Sequence, residues 1–170
     1  MVRHDTFTIS RHLDVPPGEV FTAFADTTIR LRWFRLPGRA ASYEHDFRVG
    51  GGETARSTYT GLDTAPERLA YRSRYIDITA VHRIIYGYEA VVDDDLRWTS
   101  LVTVQLHPET DGTGLRWTEQ AAFVRYTGDG GTDLAHLRGA SVLRLNGLDA
   151  ALRPGPPRRP TADVRTELRD

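Results

Sequence analysis

The sequence predicts an α+β protein in which a curved antiparallel sheet of about seven strands wraps around one long C-terminal helix, with two short helices after the first strand. Apolar and polar residues alternate with period two through most of residues 41–123, and turn-forming residues interrupt the alternation. This pattern is typical of consecutive strands joined as an antiparallel meander. After a glycine-rich segment at 128–131, leucines recur at spacings of three and four, as in a helix that buries one face.

The N-terminal quarter predicts one strand and two short helices. Phe7 and Ile9 are interleaved with polar residues, as in a strand with one buried face. Pro17 suits the first turn of a helix, because its fixed φ is helical and its missing N–H is not needed there. Asp26 is a favourable cap for a second helix over residues 27–33.

Six further strands and the long helix complete the expected order of elements. Turn signals bound the strands at 41–48, 53–60, 67–76, 82–92, 96–106 and 113–123. The stripe on the helix consists of Leu134, Leu137, Ser141, Leu145, Leu148 and Leu152. A helix of this length, ~30 Å, must bury its stripe against the curved sheet. This order is the helix-grip arrangement, which leaves a cavity between the sheet and the last helix.

The chain is expected to form one domain over residues 1–152, followed by a tail. Residues 153–170 are rich in proline and arginine and lack apolar periodicity. Such a segment has too little apolar surface to fold by burial, so we expect it to be disordered.

Composition excludes several classes of function. The net charge is −1 and no apolar stretch could span a bilayer, so we expect neither a nucleic-acid nor a membrane partner. All 22 basic residues are arginines and there is no cysteine, which excludes lysine Schiff-base chemistry, thiolate catalysis and cysteine-bound zinc. The histidines lack a metal-binding spacing, and we predict no metal and no cofactor. We expect a cytoplasmic protein without a signal peptide, and we favour a homodimer because symmetric dimers are common.

The last predicted strand places a carboxylate on an apolar face. With period-two alternation, Glu119 shares its face with Leu115, Trp117 and Phe123. An ionised carboxylate is costly to bury unless it is paired or hydrogen-bonded. Glu119 is therefore either a pocket carboxylate that acts as a general base or holds a polar ligand group, or a structural carboxylate satisfied by an arginine or by backbone amides.

Several short motifs occur in the order found in one superfamily. They are Phe24-Ala25-Asp26, Arg32-Trp33-Phe34, Asp46-Phe47-Arg48-Val49-Gly50-Gly51, Tyr75-Ile76-Asp77-Ile78, Arg83-Ile84-Ile85-Tyr86, Ser100-Leu101-Val102-Thr103-Val104 and Thr118-Glu119-Gln120. Over residues 5–152 the chain resembles the SRPBCC (START-like, Bet v 1-like) superfamily, and within it bacterial relatives of the C-terminal domain of the activator of the heat-shock-protein-90 ATPase. The resemblance implies the helix-grip fold and a deep, largely apolar pocket. It implies no single activity, since members bind lipids, hormones or aromatic polyketides and some catalyse cyclisation.

The resemblance also suggests polar residues of the pocket. Arg56 matches positions that tend to line the cavity, so an Arg56–Glu119 pair across the pocket is one interpretation. In the other interpretation the alternation runs the opposite way and Arg56 is solvated. His136 matches a histidine of the nearest relatives and would form an acid–base couple with Glu119, or it is a solvated or packing residue on the helix flank. Trp98 stands where the family usually has a small residue, which would give the cavity an individual shape.

Aromatic side chains form a second group of candidates. Tyr86 and Tyr88 share a strand face, Tyr75 lies on the preceding strand, and Trp33 and Phe34 end the second helix at the expected pocket mouth. Rings with hydroxyl groups suit an aromatic ligand, although tyrosine and tryptophan also favour strands in general. The expected ligand contacts are Trp33, Phe34, Arg56, Tyr75, Tyr86, Tyr88, Trp117, Glu119, Phe123 and His136.

Three functional hypotheses follow. The leading one is a protein that binds a hydrophobic or aromatic small molecule, polyketide-like or lipid-like. The second is an enzyme of the polyketide cyclase or hydratase kind. In that enzyme Glu119 or His136 would take a proton alpha to a carbonyl, and Arg56 or a tyrosine would stabilise the enolate oxygen. The third is a co-chaperone-like interaction module, suggested only by the family name; the sequence offers no docking surface for it, and a chaperone partner is not expected.

Overall fold

The computed structural model describes residues 1–61 and 65–153, so the predicted tail after residue 153 lies outside the described residues. The strands are β1 (Arg3–Leu13), β2 (Arg39–His45), β3 (Glu53–Tyr59), β4 (Glu67–Thr79), β5 (Arg83–Val92), β6 (Asp95–Glu109) and β7 (Gly112–Phe123). The helices are α1 (Pro17–Ala25), α2 (Thr27–Trp33) and α3 (Gly131–Leu152). The predicted order of elements and the α+β class are confirmed.

The seven strands form one antiparallel sheet in the order β1-β7-β6-β5-β4-β3-β2. β2 to β7 are a meander, and β1 closes the sheet by pairing with β7. Register shifts interrupt the β4–β5 pairing between Tyr75 and Asp77 and the β5–β6 pairing between Ala90 and Val91. Such bulges bend a strand and increase its twist, which lets the sheet curve around α3 as the helix-grip arrangement requires.

The helices begin and end where the sequence indicates. Pro17 occupies the first turn of α1, and the Asp26 carboxylate accepts a hydrogen bond from the backbone N–H of Ile29 at 2.9 Å, which caps α2. In α3 the predicted stripe faces inward: Leu137, Ser141 and Leu145 are buried, as is Leu148. No helix within the described part of the chain is long and apolar enough to cross a membrane.

Removing the α2 cap should destabilise the protein measurably. Asp26→Ala leaves the Ile29 N–H without its side-chain acceptor, and we expect the free energy of unfolding to fall by about 1 kcal/mol. Asp26→Asn keeps an acceptor oxygen and should stay close to wild type. Urea unfolding of the three proteins checks this, and equal losses in both variants would contradict the capping role.

Candidate functional site

A cavity of about 890 Å³ lies between one end of the sheet and the first half of α3. Strands β4 to β7, the segment after α2 and the segment after β7 supply its walls. Its apolar and aromatic lining residues are Met1, Leu36, Pro37, Leu69, Ala70, Tyr71, Tyr88, Ala90, Val91, Val92, Trp98, Phe123, Val124, Tyr126, Leu137 and Ala140. Its charged or titratable lining residues are Glu67, Arg97, Arg125, Asp133, His136 and Arg144. The predicted cavity between sheet and helix is therefore present.

One side of α3 forms the helical wall of the cavity. Asp133, His136, Leu137, Ala140 and Arg144 line it, and their spacings of three and four place them in one row along the helix. This row is adjacent to the buried stripe that packs on the sheet and shares Leu137 with it. The helical wall of the cavity is thus a second stripe, in which three of the five side chains are charged or titratable.

Glu119 is fully buried and accepts three hydrogen bonds from side chains. The Tyr88 hydroxyl donates to its Oε1 at 2.6 Å, whereas the Trp117 Nε1–H and the Ser141 hydroxyl donate to its Oε2 at 3.1 and 2.9 Å. These donors come from β5, β7 and α3. The carboxylate therefore joins the helix to the sheet, and both of its oxygens are occupied.

Tyr88 separates Glu119 from the cavity. Tyr88 lines the cavity whereas Glu119 does not, and the Tyr88 hydroxyl also accepts a hydrogen bond from the Trp98 Nε1–H at 3.0 Å. Burial, followed by the charge of Glu119, raises the pKa of Tyr88 well above its ordinary value. Tyr88 consequently stays protonated as a donor, and the arrangement favours the structural interpretation of Glu119.

Arg56 does not pair with Glu119, so the first of the two interpretations of this residue is wrong. In β3 the buried residues are Glu53, Ala55 and Ser57, so Arg56 is exposed on the opposite face of the sheet. The alternation runs in the direction that the second interpretation assumed. Side chains on opposite faces of a sheet cannot contact each other, which removes Arg56 from the list of ligand contacts and from any catalytic role in this cavity.

The other predicted residues divide between the cavity and the core. Tyr88, Phe123 and His136 line the cavity; His136 is exposed at its edge and, among the described residues, forms no hydrogen bond or ion pair with Glu119, so the structure does not form the predicted acid–base couple. The remaining aromatic candidates are buried core residues outside the cavity lining, namely Trp33, Phe34, Tyr75, Tyr86 and Trp117. The expected ligand contact of those five is therefore not supported.

A second buried carboxylate, which sequence reasoning missed, pairs with an arginine. The Arg30 Nε and Nη2 donate to the two oxygens of Glu53 at 2.7 and 3.0 Å, and both residues are at most 2% exposed. The Tyr43 hydroxyl donates to Glu53 Oε1 at 2.5 Å. The Arg30 guanidinium also lies over the Trp33 and Phe34 rings, with its Cζ 4.1 and 4.5 Å from their centroids. This pair fastens α2 to β3.

Titration of this region should make stability depend on pH. Burial alone would raise the pKa of Glu53, but the charge and hydrogen bonds of Arg30 and the Tyr43 hydroxyl hold it below its ordinary value. Burial lowers the pKa of His45, whose ring bonds Thr27 and Tyr75. Both folded-state pKa values lie below those of the unfolded chain, so the unfolded state binds more protons as the pH falls.

We therefore expect the free energy of unfolding to fall as the pH drops below about 6.5, the ordinary pKa at which His45 of the unfolded chain takes up a proton, and again below about 4.5, the ordinary pKa of Glu53 in the unfolded chain. Urea unfolding at pH 7.5, 5.5 and 4 measures this. In His45→Gln the free energy of unfolding should fall less between pH 7.5 and 5.5 than it does in wild type. The pKa of His12 is raised by its hydrogen bond to Glu109, so His12 favours the folded state as the pH falls, in wild type and in His45→Gln alike. Only the difference between these two proteins therefore tests His45.

Arg144 is a cavity residue that sequence reasoning did not select. Tyr71 is 2% exposed, and the Arg144 guanidinium lies beside its ring, with the Cζ 5.9 Å from the ring centroid. The sequence signal that could have identified Arg144 was the second stripe of α3, in which Arg144 follows Ala140 by four residues and Leu137 by seven.

A curved antiparallel sheet that encloses a long C-terminal helix beside a largely apolar cavity defines the helix-grip class of proteins. The chain belongs to the family described as Activator of Hsp90 ATPase homolog 1-like protein, whose model matches residues 14–137. This confirms the resemblance drawn from the sequence motifs. No curated protein matches the chain.

Solved structures agree with this assignment. A Rhizobium leguminosarum protein is 34% identical, with a TM-score of 0.75 over 89% of this chain and 96% of that one. The Mll3558 protein of Rhizobium loti is 36% identical, with a TM-score of 0.74 over 89% and 99%. Ara h 8.0201, of the Bet v 1 type, is 12% identical with a TM-score of 0.67 over 88% and 98%. The last likeness is one of fold alone.

Proposed function

We propose that this protein binds a hydrophobic small molecule in the cavity between its sheet and α3. The observation that carries this proposal is the cavity of about 890 Å³, a volume within the range of about 300–1,000 Å³ typical of ligand sites. Its walls are mostly apolar, with a few polar groups that can orient a ligand. Membership of a family with the helix-grip fold supports the same function.

An aromatic ligand fits the walls better than a purely aliphatic one. Tyr71, Tyr88, Trp98 and Phe123 contribute rings from four neighbouring strands to one cavity. Aromatic rings offer large contact areas and favour offset or edge-to-face packing with another ring. Trp98 is held in place by its hydrogen bond to Tyr88, so at least part of this wall is preorganised for binding.

The catalytic hypothesis has weaker support than the binding hypothesis. A general base must reach the proton that it abstracts, directly or through one water. Glu119 lies behind Tyr88, and three donors occupy its oxygens. The cavity lining retains His136 and two carboxylates, but within the described part of the chain none of these is hydrogen-bonded to a side chain that would activate it. We therefore propose ligand binding and assign no reaction to this cavity.

Titration with N-phenyl-1-naphthylamine, a neutral fluorescent aromatic probe, tests the proposal. We expect saturable binding with one site per chain and a rise in Tm with probe concentration. Ala140→Trp places an indole in the cavity and should weaken binding about tenfold or more, a change of about 1.4 kcal/mol.

Ala135→Trp is the matched control, because Ala135 is exposed on the same helix and outside the cavity lining. It should bind the probe as wild type does. Absence of saturable binding to wild type, or equal weakening by the two variants, would refute binding at this cavity.

A further inference from the structure

The guanidinium of Arg144 is held at the cavity without an acidic partner. Its Cζ lies 4.9 Å from the centroid of Phe34 and 5.9 Å from that of Tyr71. Over residues 1–61 and 65–153 it forms no ion pair and no side-chain hydrogen bond. Arg30, by contrast, stacks on aromatic rings and also binds the Glu53 carboxylate. Aromatic faces fix the plane of the Arg144 guanidinium but leave its N–H donors unused.

A second unused donor lies next to Arg144. Tyr71 is 2% exposed, and its hydroxyl has no hydrogen-bond partner among the residues that the structure describes. Burial raises the pKa of this hydroxyl well above its ordinary value, so it remains protonated. A buried hydroxyl without a partner costs free energy. An acceptor brought into this part of the cavity would recover that cost.

The charges of the cavity wall favour an anionic ligand group. The lining contains three arginines (Arg97, Arg125 and Arg144) and two carboxylates (Glu67 and Asp133), an excess of one positive charge among these five side chains. Asp133 accepts from the Thr127 N–H at 2.8 Å, and Arg125 lies 3.8 Å from Asp95. An excess of positive charge in the wall attracts an anionic group of the ligand.

We infer that the ligand of this cavity is an aromatic or otherwise planar apolar carboxylate, with its carboxylate on the Arg144 guanidinium and its body against the rings of the sheet. The planar guanidinium fork matches a carboxylate with two parallel hydrogen bonds. The Tyr71 hydroxyl is the neighbouring donor. This inference rests on the proposed function, because it assumes that the cavity binds a ligand and specifies the chemistry of that ligand.

Competition against N-phenyl-1-naphthylamine tests the inference with a pair of probes that differ only in charge. 2-Naphthoate and 2-naphthamide have the same ring system and nearly the same shape. We expect wild type to bind the naphthoate about tenfold more tightly than the amide. In Arg144→Met this ratio should fall to about one, and Arg144→Lys, which keeps the charge but loses the fork, should give an intermediate ratio. Tyr71→Phe should lower the ratio by a smaller factor.

Arg138→Met is the matched control, because Arg138 is exposed on the same helix and does not line the cavity. It should keep the wild-type ratio. If wild type binds the fluorescent probe but does not distinguish naphthoate from naphthamide, or if Arg138→Met lowers the ratio as much as Arg144→Met, the inference is overturned while ligand binding stands. If the fluorescent probe itself does not bind wild type, the proposed function fails and the inference fails with it.

Discussion

Replacing Glu53 by Gln should lower the free energy of unfolding by about 3–5 kcal/mol, because it leaves the Arg30 guanidinium buried without a counter-charge. Arg30 is 1% exposed, and its Nη1 already lacks a hydrogen-bond partner among the described residues. In Glu53→Gln the Arg30 guanidinium would stay charged and buried with too few hydrogen-bond acceptors. Urea unfolding at pH 7.5 measures the loss.

Two controls distinguish the buried pair from an ordinary ion pair. Asp77→Asn breaks the exposed Arg83–Asp77 pair, whose atoms lie 2.8 Å apart, and should change the free energy of unfolding far less than Glu53→Gln does, because solvent screens exposed pairs. The double variant Arg30→Met with Glu53→Met removes both charges and should be more stable than Glu53→Gln alone. If Glu53→Gln lowers the free energy of unfolding by less than about 1 kcal/mol, Arg30 and Glu53 are not a tightly coupled buried pair.

Replacing Glu119 by Ala should cost a similar amount, about 3–5 kcal/mol, because it leaves the donors of Tyr88, Trp117 and Ser141 without their acceptor in the core. Glu119→Gln should cost less, since the amide retains one oxygen and the Ser141 hydroxyl can turn to accept. Thermal and urea unfolding compare the two variants with Glu89→Ala, which removes a carboxylate that pairs with Arg72 at the surface. If Glu119→Ala is no more destabilising than Glu89→Ala, the carboxylate does not join α3 to the sheet.

The sequence was informative wherever one face of an element is clearly apolar. The last strand carries Trp117 and Phe123 on the same side as Glu119, so the alternation predicted the inward carboxylate correctly. β3 lacks such a contrast: Glu53, Ala55 and Ser57 alternate with Thr54, Arg56 and Thr58, and neither set is distinctly apolar. Period-two alternation fixes which residues share a face, but only hydrophobic contrast shows which face is buried. The wrong orientation of Arg56 follows from this.

The partners of the buried carboxylates depend on contacts between distant elements. Ser141 reaches Glu119 from α3, and Arg30 reaches Glu53 from α2 across 23 positions of sequence. Alternation along one strand contains no information about which helix residue faces it. Ser141 was nevertheless visible as the one polar residue in a leucine stripe, and a buried hydroxyl needs a partner. His136 directly precedes the buried Leu137 in α3. Because successive residues of a helix are rotated by about 100° about its axis, this is enough to place His136 at the cavity edge.

The two buried carboxylates lie outside the cavity wall, although Tyr88 belongs both to the wall and to the hydrogen bonds of Glu119. Neither Arg30, Glu53 nor Glu119 lines the cavity, whereas Ala70, Ala90 and other small wall residues do. Substitutions of small wall residues such as Ala70 and Ala90 can therefore change the size and polarity of the cavity while the buried carboxylates and their partners stay intact. The shape of the cavity can change over evolution with little loss of stability.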